Sequence, residues 1–413
     1  MNDIMADSGC TASSPAHPAR VALAHHWAVS MRGGEKVLEQ LSKMFPAAPI
    51  HTLVHRPENL SPTLRSRRFH TSPADRWGWT RRAYKQLLML HPRWIAAMSV
   101  DKQTDWLISS DSSMMKGIGR PEHTSHVCYC HSPPRYLWEM PRQYGGRLSP
   151  TFWGLKAASQ RCRAFDAAAA AGVDHFIANS DFVRDRIARY YDRDSVVIHP
   201  PVDVSDFDPT RPRTDRLLVV SELTRYKRVD LAIEAANRLG RRLTVIGDGP
   251  QRKRLRRLAG PTVQMLGRAE WSVVKHHFET SAALLFPGIE DFGMTPVEAH
   301  AAGCPVIAYA AGGALETVTD GRTGMLFAEQ TAGSLIDAIG RLDNHSFDGL
   351  SLHRSAMRFD ASHFRWRFTR YARSIGIAIP DDQQTSRPPL ALPAAATPTM
   401  GWPATVECSP AAP

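Results

Sequence analysis

The stretch FPGIEDFGMTPVEAHAAGCPVIAYAAGGALETVTDGRTGMLF, Phe286 to Phe327, decides the fold. The apolar run ending at Phe286 reads as a strand. A loop carrying Glu290, Asp291 and Gly293 follows it. Thr295 suits a helix N-cap, Pro296 the first helical position, and Glu298 stands three residues after Thr295, which is the pattern of a capping box. The helix is short and ends at Gly303, and Pro305 opens the next strand, Val306–Ala308. A glycine-bearing loop thus delivers a helix N-terminus to the carboxyl end of a strand. Open parallel sheets bind ligands there, and helix N-termini favour phosphate. Glu298 has the alternative reading of a plain cap. Glu290 has no evident structural task, and its alternative is a solvated loop carboxylate.

The same alternation runs outward in both directions. Towards the N-terminus the strand candidates are Val21–Ala24, Trp106–Ser109, His126–Tyr129, His175–Ala178 and Val196–Ile198, closed by Pro200-Pro201. After Gly33-Gly34 a helix starts near Glu35, with Val37, Leu38, Leu41 and Phe45 on one face. The pattern restarts at Leu217–Val220. A helix face of Val229, Ala232, Ile233, Ala236 and Leu239 follows, then Leu243–Ile246 running into Gly247-Asp248-Gly249-Pro250, then Ala283–Phe286. Strands alternating with helices imply an α/β protein with parallel sheets. The expected division is a first Rossmann-like domain over 20–205, a second over 206–355, and a C-terminal helix within 356–379 packing back toward the first domain. The hinge is expected near 200–212. Residues 1–19 and 380–413 are expected to be disordered, the latter carrying eight prolines in 34 residues.

A length of 413 residues fits two domains. No run of about 18 uncharged apolar residues suggests a membrane span. Met1 to Arg20 lacks the basic start and apolar core of a secretory leader. The cysteines at 10, 128, 130, 162, 304 and 408 form no CxxC pair, which argues against structural zinc and a disulfide framework and for a reducing compartment. The net charge of +11 calls for acidic partners. Between Arg56 and Arg93 nine Lys/Arg face only Glu58 and Asp75, interleaved with Phe69, Trp77, Trp79, Tyr84 and Trp94. This segment is either a solvated face or a surface for anionic membrane, with Arg76, Trp77, Trp79, Arg81, Arg82 and Lys85 in contact. Nucleic acid is disfavoured because no binding signature accompanies the charge.

Two glutamates with seven residues between them, within E-D-F-G-M-T-P-V-E-A and followed by A-x-G-x-P-V-I-A, resemble the family 4 retaining glycosyltransferases of the GT-B fold. Further blocks agree in order: Gly33-Gly34-Glu35, Tyr129-Cys-His-Ser-Pro-Pro-Arg135, Ala178-Asn-Ser180, Tyr226-Lys-Arg-Val-Asp230, Gly247-Asp-Gly-Pro250 and Gly312-Gly313. The resemblance implies that Glu290 lies beside the donor sugar, that Glu298 binds the ribose hydroxyls, and that the N–H groups of Gly293, Met294 and Thr295 face the diphosphate. Lys227 would neutralise the departing diphosphate, and His131 would line the cleft near the sugar. Gly34 would let the first loop approach the phosphate. Arg225, Gly247, Asp248, Gly267 and Arg268 would complete the donor side.

The phrase V-D-L-A-I-E-A and the Pro-Pro-Arg block look most like bacterial mannosyltransferase-like enzymes of surface-polysaccharide assembly. That subgroup implies GDP-mannose as donor and a lipid-diphosphate-linked oligosaccharide as acceptor, in exopolysaccharide or lipopolysaccharide synthesis. It also implies a peripheral place on the inner face of the cytoplasmic membrane. UDP-glucose or UDP-galactose remains an alternative donor, and a non-catalytic nucleotide-sugar-binding protein an alternative class. A dinucleotide-dependent enzyme would need GxGxxG after the first strand, which is missing. No metal is expected, since the resemblance calls for none; Asp381-Asp382 lies in the tail. One departure stands out. Glu222 occupies the place of a phosphate-binding arginine and is expected to turn away, with Arg225 as the substitute. Gly247-Asp248-Gly249 has the alternative reading of a simple turn, His131 that of a loop histidine satisfied by backbone, and Lys227 that of a surface lysine. His25 and His26 are left out of catalysis, because no acid stands near His26 in the sequence.

Overall fold

A computed structural model describes residues 19–84, 87–139 and 150–379. Seven parallel strands form the first sheet: β1 (Val21–His25), β2 (Ile50–Thr52), β3 (Phe69–Thr71), β4 (Trp106–Asp111), β5 (Ser125–Cys130), β6 (His175–Ala178) and β7 (Val196–Val197). Their order is β3-β2-β1-β4-β5-β6-β7. Six more parallel strands form the second: β8 (Leu217–Val220), β9 (Leu243–Ile246), β10 (Val263–Gly267), β11 (Ala283–Phe286), β12 (Val306–Tyr309) and β13 (Gly324–Phe327), in the order β10-β9-β8-β11-β12-β13. In each sheet the strand order reverses beside the first strand of the unit. That reversal is the switch point where doubly wound folds bind ligands. The α/β class with two Rossmann-like sheets is therefore what the chain adopts.

The central strands are apolar on both faces because helices cover both. Leu23, Ile108, Val127 and Tyr129 pack against Val37, Leu38 and Leu41 of the helix Gly33–Met44. The helix Ala361–Ser374 joins this same core through Phe364 and Phe368, although it follows the whole second sheet in sequence. The second core gathers Leu217, Val219, Leu285 and Ile307 with Ile233 and Leu335 from flanking helices.

Several local expectations need correction. Strands β2, β3, β10 and β13 were not expected. Two of them have three residues, β10 opens Val-Gln and is partly exposed, and β13 begins at a glycine. β2, β3 and β10 lack the unbroken apolar run that marks the other strands, whereas β13 carries Met325-Leu326-Phe327, as long as runs read as strands elsewhere. Thr295 is not the N-cap. The helix runs Met294–Ala301, and Gly293 caps it with φ of +88°. A left-handed turn, cheap only for glycine, starts the helix early and places Thr295 inside the first turn. The helix after the glycine pair likewise starts at Gly33. The tail after 379, with Asp381-Asp382, and the first 18 residues lie outside the described residues.

Candidate functional site

The carboxyl ends of the two sheets face one another, and the chemistry-bearing residues emerge from these ends. From the second sheet, the loop after β8 carries Glu222, Arg225 and Lys227, and the loop after β11 carries Glu290 and Asp291. Lys227 ends a short 3-10 turn, Arg225–Lys227. Its ammonium touches the carboxylate of Glu290, with both side chains mostly buried. Burial and the Arg135 guanidinium pull the Lys227 ammonium down to about 7, with the Glu222 and Asp291 carboxylates working against that shift. Gly293, Met294 and Thr295 form the start of the 294–301 helix directly after this loop, so unsatisfied N–H groups and the positive end of the helix dipole accompany the pair.

Glu298 lies one turn into that helix. Its Oε1 accepts from Lys36 Nζ at 2.7 Å, across the cleft from the first domain. Burial would lower the Lys36 pKa, but Glu298 outweighs it and holds it above the ordinary value. Glu298 is therefore bound to a cation rather than capping its own helix. The adjacent Gly33 sits against Met294, where a Cβ would come 2.8 Å from the sulfur. Gly34 lies under His25 and His131, at 3.2 and 3.7 Å from a Cβ placed there.

His131 follows β5. Its backbone N–H donates to Asp111 O (2.8 Å), and its Nε2 is paired with Ser110 Oγ (2.8 Å). Burial and neighbouring His25 push its pKa down to about 3, so the ring is neutral near pH 7. His26 has an acidic neighbour after all. β4 brings Asp111 to 4.0 Å from its Nδ1, and His91 Nδ1 lies 3.1 Å from its Nε2. The sequence hid this because Asp111 is remote along the chain.

Glu222 does not simply turn away. It faces the first domain and pairs with Arg32 at 2.9 Å. Its charge is thus answered by a guanidinium from the opposite wall, which removes the expected repulsion at its source. Arg225 is exposed at the start of its turn, and Arg268 is exposed after Gly267, which has φ of +75°. The Gly247–Gly249 turn has a structural reason. A Cβ on Gly247 would fall 1.8 Å from Ser221 O, so the loops after β8 and β9 touch backbone to backbone. Asp248 accepts from the Gly249 N–H at 2.8 Å and lies 3.7 Å from Arg252.

The basic aromatic segment is only partly described. Arg76 is exposed and Trp77 is 56% exposed. Lys85 lies outside the described residues, as do the side chains of Trp79, Arg81 and Arg82. Among the described residues no cluster of His, Cys, Asp and Glu is arranged to hold a metal ion, and no helix is long and apolar enough to cross a membrane.

Sequence reasoning missed Arg32, Lys36, Ser132, Arg186 and Asp291, and gave Arg135 no role. Asp291 and Ser132 lie inside quoted motifs and Lys36 adjoins one, so these three were within reach. Arg186 is an arginine in an ordinary helix, Asp181–Tyr191, and only its burial marks it.

A profile of glycosyltransferase family 4 matches residues 31–206, and one of glycosyl transferases group 1 matches residues 205–347. The D-inositol 3-phosphate glycosyltransferase of Mycobacteroides abscessus is 30% identical over 245 residues, which is 52% of this chain and 54% of that protein. The GDP-mannose-dependent alpha-(1-6)-phosphatidylinositol monomannoside mannosyltransferase of Mycolicibacterium smegmatis is 29% identical over 230 residues, covering 47% and 59%. The chain spans about half the length of the curated relatives it matches. Among solved structures, HepE of Anabaena in complex with UDP superposes with a TM-score of 0.63 at 16% identity, over 86% of this chain and 100% of that one. Sucrose-phosphate synthase of Thermosynechococcus elongatus gives 0.64 at 17%, over 86% and 99%. Identities this low establish fold alone. With one profile ending where the other begins, residues 31–206 resemble a glycosyltransferase family 4 domain and residues 205–347 a glycosyl transferases group 1 domain, and the two sheets opening on one cleft have the GT-B fold.

Proposed function

We propose that the chain is a retaining glycosyltransferase that moves a hexose, with mannose favoured, from a nucleotide sugar to an acceptor held by the first domain. The observation that carries this reading is the buried Lys227–Glu290 contact beside the 294–301 helix N-terminus. Breaking a sugar–phosphate bond puts positive charge on the sugar and negative charge on the departing diphosphate. Lys227 and the first-turn N–H groups of Met294 and Thr295 answer the negative charge, and Glu290 the positive one. The bond from the anomeric carbon to the diphosphate oxygen breaks, and a bond to the acceptor hydroxyl oxygen forms on the same face. The acceptor proton passes to the departing diphosphate. This reading assigns no step to a protein base or a metal. Glu298 binds ribose hydroxyls through the oxygen that Lys36 leaves open. His131, neutral and fixed by Ser110, lines the sugar side, with Gly34 beside it. Arg225, Gly247, Asp248, Gly267 and Arg268 belong to the nucleotide side of this reading.

GDP-mannose is favoured because a relative's name specifies it, and because the V-D-L-A-I-E-A and Pro-Pro-Arg phrases point the same way. A lipid-diphosphate-linked oligosaccharide acceptor in surface-polysaccharide synthesis extends that reading. Arg76 and Trp77, exposed on the first domain, support docking to an anionic membrane from the cytoplasmic side. The test is nucleotide release from GDP-mannose, UDP-glucose, UDP-galactose and UDP-GlcNAc, with membrane extract as acceptor and chelator present. Release from GDP-mannose alone is expected. Release from a UDP-sugar alone would replace the donor. Thermal stabilisation by a donor without release would favour a non-catalytic binding protein.

A further inference from the structure

The loop that carries Glu290 is gripped from the opposite side of the cleft. Asp291 Oδ1 accepts from Arg135 Nη2 (3.0 Å) and Nε (3.3 Å), from Ser132 Oγ (3.2 Å) and from Arg186 Nη1 (2.5 Å). The carbonyl of Ile289 accepts from Arg135 Nη1 at 3.0 Å, and that of Asp291 from Ser180 Oγ at 2.6 Å. Every donor here belongs to the first domain, and every acceptor lies within residues 289–291. Within its own domain the loop is held by the Gly313 N–H, 2.9 Å from the Glu290 carbonyl, and by the Lys227–Glu290 contact.

Two guanidinium groups on one carboxylate make a costly contact if its task is only to hold domains together. Each buried ion forfeits hydration worth several kcal/mol, and apolar contact of similar size would join the domains at less expense. Arg186 is 4% exposed, so this cost is incurred. The location suggests why. Arg135 also lies over the Tyr226 ring, 5.6 Å from its centroid, and Tyr226 precedes Lys227. A single first-domain side chain thus touches both sides of the Glu290–Lys227 pair.

We propose that Asp291 is a positioning residue. The Arg135–Asp291–Arg186 clamp sets the Glu290 loop only when the two domains are closed, so that closure and completion of the reacting site are one event. The kinetic half of this inference rests on the glycosyltransferase reading, and the structural half stands without it.

The test compares the full chain with Asp291→Ala, Asp291→Asn, Glu290→Ala and the Glu290→Ala/Asp291→Ala double variant. Small-angle scattering should give a larger radius of gyration for Asp291→Ala than for wild type, with Asp291→Asn between them. With the donor that the wild type turns over, kcat should fall about 10–100-fold in Asp291→Ala, the scale of a displaced reacting group. KM for donor should change less than about threefold, because the donor contacts assigned to Lys227, Glu298 and the helix N-terminus all lie in the second domain. On the Glu290→Ala background, Asp291→Ala should cost less than about threefold. A wild-type radius in Asp291→Ala overturns the clamp. A kcat loss as large without Glu290 as with it overturns positioning through Glu290, and so does a loss confined to KM. If the wild type turns over no donor, the activity reading fails while scattering still decides the clamp. Asp291→Asn, near-isosteric, carries the comparison if the alanine variant does not fold.

Discussion

Lys227 and Glu290 are the residues on which the proposed chemistry turns. Each is mostly buried, and each has the other as its immediate charged neighbour. In the proposed reaction, Lys227 is the cation that answers the leaving diphosphate and Glu290 the carboxylate that answers the sugar cation. Glu290→Ala and Lys227→Ala should each lower turnover at least about 100-fold, the scale seen when one preorganised electrostatic group is removed. Circular dichroism should be unchanged. Turnover near that of wild type in either variant would remove that residue from its role. At this scale much was legible, because the two glutamates and the lysine sit in short motifs with fixed spacing. What was not legible is who neutralises whom. Glu222 meets Arg32 and Glu298 meets Lys36, and both pairs join residues far apart in sequence. Charge sign alone predicted repulsion at Glu222, whereas the opposite wall supplies its partner.

At the scale of elements, the turns after the strands decide where those residues point. The 294–301 helix begins with Gly293 in the left-handed region, and a Cβ there would come 3.1 Å from Phe286 Cζ. Gly293→Ala should cost about 1–2 kcal/mol from backbone strain alone, visible as a lowered melting temperature. Thr295→Ala should change stability by no more than about 0.5 kcal/mol, since Thr295 is not the cap. Gly247→Ala should be worse than either, because its Cβ would collide with backbone rather than with a side chain that can move. A melting temperature unchanged in Gly247→Ala would mean that the loops after β8 and β9 are not in the contact described. The capping box that the sequence suggested does not form: Thr295 lies in the first turn and Glu298 pairs with Lys36. Gly293 offered a cheaper helix start two residues ahead of Thr295, and local propensity yielded to backbone geometry.

The whole molecule is two sheets closed on a polar cleft, with the C-terminal helix fastening the first domain. Phe368 is fully buried in the first core, in contact range of Phe45 at a ring-centroid distance of 6.3 Å. Phe368→Ala should cost about 3–5 kcal/mol, read as a lowered urea midpoint, and should destabilise the first domain although residue 368 follows the second. Acid should act on both domains. Burial holds His126 and His131 down to about 3, and His51, His91 and His300 down to about 4. In the unfolded chain these rings take up protons near pH 6.5. The unfolded state therefore binds more protons, and stability is complete above that pH and lost as pH falls through 6.5 toward 4 and 3. Each such ring removes up to about 1.4 kcal/mol per pH unit in that window. Urea midpoints at pH 7.5 and 5.5 check this, and equal midpoints would refute it.

The sequence by itself determined the α/β class, the central strands and the loop-to-helix delivery after β11, and it singled out Glu290, Lys227 and Glu298 as candidates. These depend on short-range patterns: apolar runs, glycine and proline punctuation, and spacings of a few residues. The tertiary structure alone decided β2, β3, β10 and β13, the cap at Gly293, the acid beside His26, and the partners of Glu222, Glu298 and Asp291. Each of those depends on two distant segments meeting, through a backbone approach or an ion pair across a cleft. Neither residue of such a pair carries a local mark of the other. Arg186 shows this most plainly: along its helix it is one more arginine, and only the closed cleft makes it the buried partner of Asp291.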